Sequence, residues 1–250
     1  MSPSRTASRD GDGFVRDLRD TLKVLPSPVA TYRGLRERPA VLAPWLVVSA
    51  VTVLMTLLTL SITQRASVHV MAEMNDPELA ESVALQLDRL KWFAVGLAPL
   101  QLLARWLVTA GLFWAMATFV FRGMRFKSAL SVAAYAGLPA ALGTALDLGV
   151  TWFEGPEFTP DLMPVLASAS SIAVLFPGLE DPGWLAVALR HVTLFSIWSG
   201  GLWTVGLREF GRTSWSHAAM VAGAVWCAFL VGGSAADVVR DSLMQMSALP

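Results

Sequence analysis

The chain has 250 residues, 54% of them hydrophobic and only 15% charged, with a mean hydropathy of +0.54. A soluble domain carries about a quarter charged residues, so this composition belongs to a chain solvated mainly by lipid, with no sizeable water-soluble domain. A formal net charge of zero argues against nucleic acid as a partner, and the single cysteine, Cys227, excludes an internal disulfide.

Residues 1–12 are rich in Ser, Arg and Asp and read as a disordered tail. From there to residue 39 the pattern turns helical. Phe14, Leu18, Leu22 and Leu25 recur at helical spacing, with Arg16, Asp17, Arg19, Asp20 and Lys23 filling the other side. A second short helix is signalled by Ser27 as N-cap, Pro28 in the first turn and a stop before Pro39; it carries Arg33, Arg36 and Arg38 beside Val29, Tyr32 and Leu35. Both read as amphipathic helices lying on a membrane surface.

The first transmembrane helix is expected at 41–62, inside an uncharged stretch between Arg38 and Arg65 that exceeds the roughly 20 residues a span needs. An acidic connection follows, in which Asp76, Pro77 and the repeat Leu79, Val83, Leu87, Leu90 predict an amphipathic helix feeding the second span. That span is placed at 95–121, interrupted only by Arg105. After a tight basic turn, the third span runs over 128–152 with Asp147 near its end. Residues 162–179 are uncharged but hold Pro164, Pro177 and three serines, so an interfacial loop is the expectation and a further span the alternative. The fourth and fifth spans are expected at 184–207 and 214–233, with 235–250 as a polar tail. The fold class is therefore all-α: a polytopic five-helix membrane bundle with short interfacial helices.

Lys and Arg favour the cytoplasmic side. With the N-terminus inside, thirteen of the nineteen basic residues face the cytoplasm, five lie outside (Arg65, Arg89, Lys91, Arg190, Arg240), and Arg105 sits within a span. The acids run the other way. The chain is thus expected in the cell (inner) membrane with a cytoplasmic N-terminus and an extracytoplasmic C-terminus. Trp45, Trp92, Trp152, Trp184 and Trp215 fall at predicted span ends, where indole prefers the headgroup level.

Three segments resemble the Yip1 domain family of integral membrane proteins, in its bacterial form. LPSPVATYRGLRERPAVLAPWL is similar to that family's opening helix and first-span entrance. RFKSALSVAAYAGLPAAL resembles its third-span opening through Phe126, Lys127, Ser131, Tyr135 and Pro139. LFSIWSGGLWTVGLREFGRTSWSHA resembles its fourth-span pattern through Phe195, Trp198, Gly206, Leu207, Gly211 and Thr213. The resemblance covers about residues 24–233 and implies five spans with the two termini on opposite sides. Thr193 stands where bacterial members often carry an aspartate, and the tail lacks the motif that links eukaryotic members to small GTPases, so GTPase binding is not carried over.

Chemistry-bearing constellations are few. His69, His191 and His217 are scattered, and no Cys pair, His-Glu-x-x-His or phosphate loop occurs, so neither metal nor cofactor is expected. Ser199 in IWSGG would need a base from a neighbouring span to act as a nucleophile. Small residues at four-residue spacing (Ala133, Gly137, Ala141 and Ala145; Ser196, Gly200 and Thr204; Ala219, Gly223 and Cys227) suit close helix packing. The sharp feature is a pair of intramembrane charges. Arg105 lies about 24 Å outward from Phe121, and Asp147 about 31 Å outward from Phe126, at the helical rise. Their matched depth on consecutive antiparallel spans suggests a structural ion pair, with a substrate or proton site and separate snorkelling as alternatives.

These observations favour a non-enzymatic protein that organises or shapes the membrane or scaffolds partners. The partners would be the bilayer itself, other membrane proteins or a second copy of the chain. A small transporter or channel subunit using the Arg105/Asp147 region is the alternative. The charge distribution makes a direct prediction: a reporter active only outside the cytoplasm is active when fused after Pro250 and silent after Lys127. A silent C-terminal fusion would instead make 162–179 a span.

Overall fold

Apolar stretches that hold no helix-breaking signal continue as helix well past the bilayer thickness. The computed structural model describes residues 7–73, 77–121, 123–154, 171–172, 187–189 and 191–247. Eight helices have defined bounds among them: α1 (Ala7–Lys23), α2 (Pro28–Leu35), α3 (Leu42–Glu73), α4 (Pro77–Val120), α5 (Phe126–Tyr135), α6 (Leu138–Glu154), α7 (Leu194–Gly211) and α8 (Trp215–Ser247). No strand occurs among the described residues; Ser171 and Thr193 form an isolated antiparallel bridge. The protein is a polytopic all-α membrane protein. Four helical stretches are long and apolar enough to cross a membrane: Leu42–Ser61, Ala84–Val120, Phe126–Gly149 and Trp215–Val239. Helix α7 packs against α6 and α8, but Arg208 and Glu209 keep it below that standard.

Several boundaries differ from the sequence reading, each for a local reason. Residues 7–12, expected in a disordered tail, are already the first turns of α1. The feeder helix and second span are one 44-residue helix, because Pro99 inside it removes a single N–H without ending it. The third span is broken at Ala136 and Gly137, where Pro139 cannot continue the hydrogen-bond ladder of α5. The expected fourth span at 184–207 begins instead at Leu194: Thr193 and Ser196 form a reciprocal capping box, with Ser196 N–H donating to Thr193 Oγ1 at 2.9 Å. Residues 235–247, expected as a tail, extend α8, which meets no proline or cap after Gly233. Of the expected loop at 162–179, only 171–172 lie within the described residues, and Ile172 N–H donates to Val192 O at 2.9 Å.

The N-terminal helices are more than surface attachments. Thr21 and Val24 are buried between α1 and the bundle, as are Thr31, Tyr32 and Leu35 from α2. Tyr32 is the centre of this contact. Its ring meets Tyr135 of α5 and Phe210 of α7 edge-on, at centroid distances of 6.4 and 6.2 Å. Glycine at 206 makes the approach feasible: a Cβ there would lie 2.8 Å from Val132 Cγ1 and 3.2 Å from the Tyr32 ring. Ser131 Oγ donates to Ala40 O at 2.9 Å, tying α5 to the α2–α3 link. The end of the bundle that holds this contact is called basal below, and the opposite end distal.

The repeat of Ala133, Gly137 and Ala141 does pack inward, with Gly137 close to the Trp106 ring, but the small residues of α7 and α8 pack in other places than their four-residue repeats suggested. Ala219 and Cys227 are exposed on α8, and nothing comes within 4 Å of a Cβ at Gly200 or Gly223. The buried face of α8 is Ala218, Val221, Ala222 and Val225. On α7 the close approaches are made by Gly206 and, against the Phe121 ring, by Gly211.

Burial pushes the Tyr32 hydroxyl pKa above its ordinary value, and that oxygen has no hydrogen-bond partner among the described residues. Tyr32→Phe therefore leaves thermal stability in detergent unchanged or raised, since it removes an unsatisfied polar atom. Tyr32→Ala lowers stability by about 3 kcal/mol through the cavity it opens, and Gly206→Leu forces α2 off α7. A melt of Tyr32→Ala indistinguishable from wild type would show that α2 rests loosely on the bundle.

Candidate functional site

Toward the distal end the helices part around a cavity of about 980 Å³. On α4, Ala98, Gln101, Arg105 and Thr109 line it, recurring every three or four residues and so sharing one helix face. Thr52, Thr56 and Thr59 contribute from α3, and Thr144 and Asp147 from α6. Ser196, Ser199 and Trp203 line it from α7, with Trp226 and Phe229 from α8. The wall is thus mostly apolar, with hydroxyls and charges set into it.

Most of the hydroxyls look after themselves. Thr52 Oγ1 donates to Val48 O at 2.8 Å, Thr109 to Arg105 O at 2.8 Å and Thr144 to Ala140 O at 3.1 Å, each four residues back on its own helix. Ser196 is occupied by the α7 capping box. Four donors differ: among the described residues Ser199 Oγ is buried without a partner, and the side chains of Thr56, Gln101 and Arg105 make no hydrogen bond or ion pair. Gln101 and Arg105 stand one helical turn apart on α4.

Arg105 and Asp147, expected to pair, do face the same cavity, but no direct salt bridge joins them among the described residues. Asp147 is engaged elsewhere. A charge near the bilayer centre costs roughly 2.5–3.5 kcal/mol on insertion scales; Arg105, an exposed residue, borders the cavity. A second polar pair closes the distal rim: His191 Nε2 lies 2.9 Å from Asp237 Oδ2 of α8. Gly233 admits the histidine ring, since a Cβ there would come within 3.2 Å of it. Ser199 shares the cavity with His191 yet makes no hydrogen bond to it, so no nucleophile–base pair is formed. No group of three or more His, Cys, Asp or Glu side chains suited to a metal occurs among the described residues; the side chain of His69 lies outside them, and His217 is exposed near Thr213 Oγ1, at 3.5 Å.

The basal end carries the complementary arrangement. Glu209 is 6% exposed and lies between two arginines: Arg208 Nη1 at 2.6 Å and Arg33 Nε at 3.5 Å. Arg208 also stacks 4.4 Å over the Trp215 ring. Arg33 thereby fastens α2 to α7, while Arg36 and Arg38 form no ion pair among the described residues. The junction from α7 to α8 is set by Arg212 in the left-handed conformation (φ 48°) and by Ser214 Oγ, which accepts from His217 N–H at 3.3 Å.

Six of the eleven positions that carried the sequence resemblance lie in the packed interior or at close helix approaches. Ser131, Tyr135 and Leu207 are fully buried, Pro139 lies with them in the interior, and Gly206 and Gly211 permit helix approach. Phe195 packs against Gly143 beside the cavity. Phe126, Lys127 and Trp198 are exposed, and Thr213 is half-buried. Compared with known proteins, residues 22–236 match the family model of the Yip1 domain. The chain belongs to the Yip1 domain family. It is also similar to Membrane protein YknW of Bacillus subtilis (strain 168), 27% identical over 191 residues, which are 76% of this chain and 78% of that one. No solved structure matches.

Within this Yip1 domain, sequence reasoning missed Gln101, Glu209 and Asp237. Gln101 was signalled only by its position one turn before Arg105. Asp237 continues the α8 face of Trp226, Leu230 and Gly233, a register visible only if the helix is carried past Gly233. The rim contact yields a test: in detergent melts, His191→Ala and Asp237→Asn each lower stability, and the double variant loses less than their sum by about 1 kcal/mol. Additive losses would mean that the pair does not hold α7 to α8.

Proposed function

We propose that this Yip1 domain protein is non-enzymatic and organises or shapes the bilayer, or scaffolds partners there, from the cytoplasmic face of the cell (inner) membrane. One observation carries the reading. Helix α1 is held to the bundle by Thr21 and Val24, yet turns Phe14, Val15, Leu18 and Leu22 outward, at 40, 65, 36 and 59% exposure. An apolar stripe bordered by Arg16 and Arg19, with Arg36 and Arg38 nearby in sequence on the following segment, suits the boundary between headgroups and acyl chains. Each basic residue near an anionic surface adds about 1 kcal/mol. The α3–α8 bundle then anchors a membrane-lying helix in a fixed orientation, which a free amphipathic peptide lacks. In this orientation α7 completes a fifth crossing and the C-terminus lies opposite the N-terminus.

The reading is tested with purified full-length protein in anionic liposomes. Wild type alters liposome shape or recruits a membrane-protein partner and passes no ions or small metabolites. Val15→Asp with Leu18→Asp abolishes the effect while the melt of the bundle is preserved. Charge reversal at Arg36 and Arg38 weakens it; Arg33 is unsuited to this comparison because it also holds Glu209. Saturable solute uptake abolished by Arg105→Leu would overturn the proposal in favour of a transporter.

A further inference from the structure

We infer that the distal cavity is a binding site for a lipid with an oxyanion headgroup, a carboxylate or phosphate, whose acyl chain lies along the apolar wall. This inference stands apart from the membrane-organising role and does not depend on it.

The argument starts from the donors. Of the polar side chains facing the cavity, Thr52, Thr109 and Thr144 donate to their own helices and Ser196 belongs to a cap. The groups left without a protein partner among the described residues include the Gln101 amide, the Arg105 guanidinium and the Thr56 and Ser199 hydroxyls. Ser199 is 6% exposed, so water at the protein surface does not serve it. Each of these groups can donate a hydrogen bond, and Arg105 carries full charge. A guanidinium inside a membrane needs an anion, and its planar fork matches a carboxylate or phosphate. Asp147 has another partner, and the acid at the rim, Asp237, is held by His191. Neither therefore answers Arg105.

The remainder of the wall selects the other half of the ligand. Leu60, Trp203, Trp226, Phe229 and Leu230 offer an apolar surface unsuited to a hydrated inorganic ion. The volume of about 980 Å³ stands at the upper end of small-molecule sites, about 300–1,000 Å³. It accommodates a headgroup with one chain. The depth of Arg105 within the span brings it within reach of a lipid entering from the distal leaflet.

The test uses full-length protein in a mild nonionic detergent and three probes: 1-oleoyl-lysophosphatidate, mono-oleoylglycerol and inorganic phosphate. Lysophosphatidate raises the melting temperature saturably, the neutral glyceride acts at least tenfold more weakly, and phosphate at millimolar concentration has no effect. Arg105→Gln weakens the lysophosphatidate response at least tenfold, Arg105→Lys restores most of it, and Ser199→Ala weakens it a few-fold. If Arg105→Gln fails to give a monodisperse protein, Ala140→Phe serves instead, filling the chain track while leaving the donors in place, and it too abolishes the response. An equal response to the neutral glyceride would overturn headgroup recognition. A full response to phosphate alone would overturn the lipid and leave a free-anion site. An unchanged response in both Arg105→Gln and Ala140→Phe would overturn the site itself.

Discussion

The missing side chain at Gly206 is the constraint on which the basal half of the molecule depends. Lipid tails are as apolar as leucine, so helices in a bilayer gain little by hiding apolar surface from one another and must instead approach closely enough for dispersion contacts to accumulate. A Cβ at Gly206 would collide with both methyls of Val132, at 2.8 and 2.9 Å, and press on Tyr32. With hydrogen there, α2, α5 and α7 meet, and two tyrosines and Phe210 fill the space edge-on. Glu209, the next turn's acid, is then near enough to receive Arg33.

That tight base and the open distal cavity are two ends of one arrangement. Trp106, Ala133 and Trp203 belong to the packed interior around the basal contact and also line the cavity, so the floor of one is the roof of the other. The break between α5 and α6 lies at this level, where Ala136 and Gly137 meet Trp106. Above it, α6 approaches α7 through Gly143 and Phe195, and the rim is drawn together by His191 and Asp237.

Membrane class, helix content and the placement of Arg105 and Asp147 on one interior surface were legible because they follow from apolar run length and helical rise. The helix ends were harder. Thr193 was recognisable as a cap only with Ser196 beside it, and the apolar run from Trp184 to Leu189 made an earlier start look natural despite Arg190 and His191. The small-residue faces of α7 and α8 failed for a different reason, while that of Ala133, Gly137 and Ala141 packs: spacing by four marks a helix face but not which face is turned inward. On α8 the buried side proved to be Ala218 and Ala222 with valines, about one residue's rotation from Ala219 and Gly223. Tyr32 was visible as part of a short amphipathic helix, but the sequence held no signal that its apolar side met protein rather than lipid.

The burial of Tyr32 changes what the N-terminal segment is. A helix attached only by a tether would leave the bundle intact on removal and act at the membrane independently of it. Here α2 supplies Tyr32 and Leu35 to the packed interior, and α1 adds Val24 and a carbonyl, that of Asp17, 3.5 Å from the Tyr135 hydroxyl. Removing them would expose Tyr135, Leu207 and Val132, and leave Glu209 with one arginine instead of two. The stripe of Phe14, Val15, Leu18 and Leu22 is consequently held in place by the packing of α1 on α3 and α2, with one hydrogen bond from Tyr135 of α5. Since α2 packs on α7 and α5 packs on α7 in the same contact, a displacement of α7 against α5 must disturb both the seat of α2 and the cavity wall.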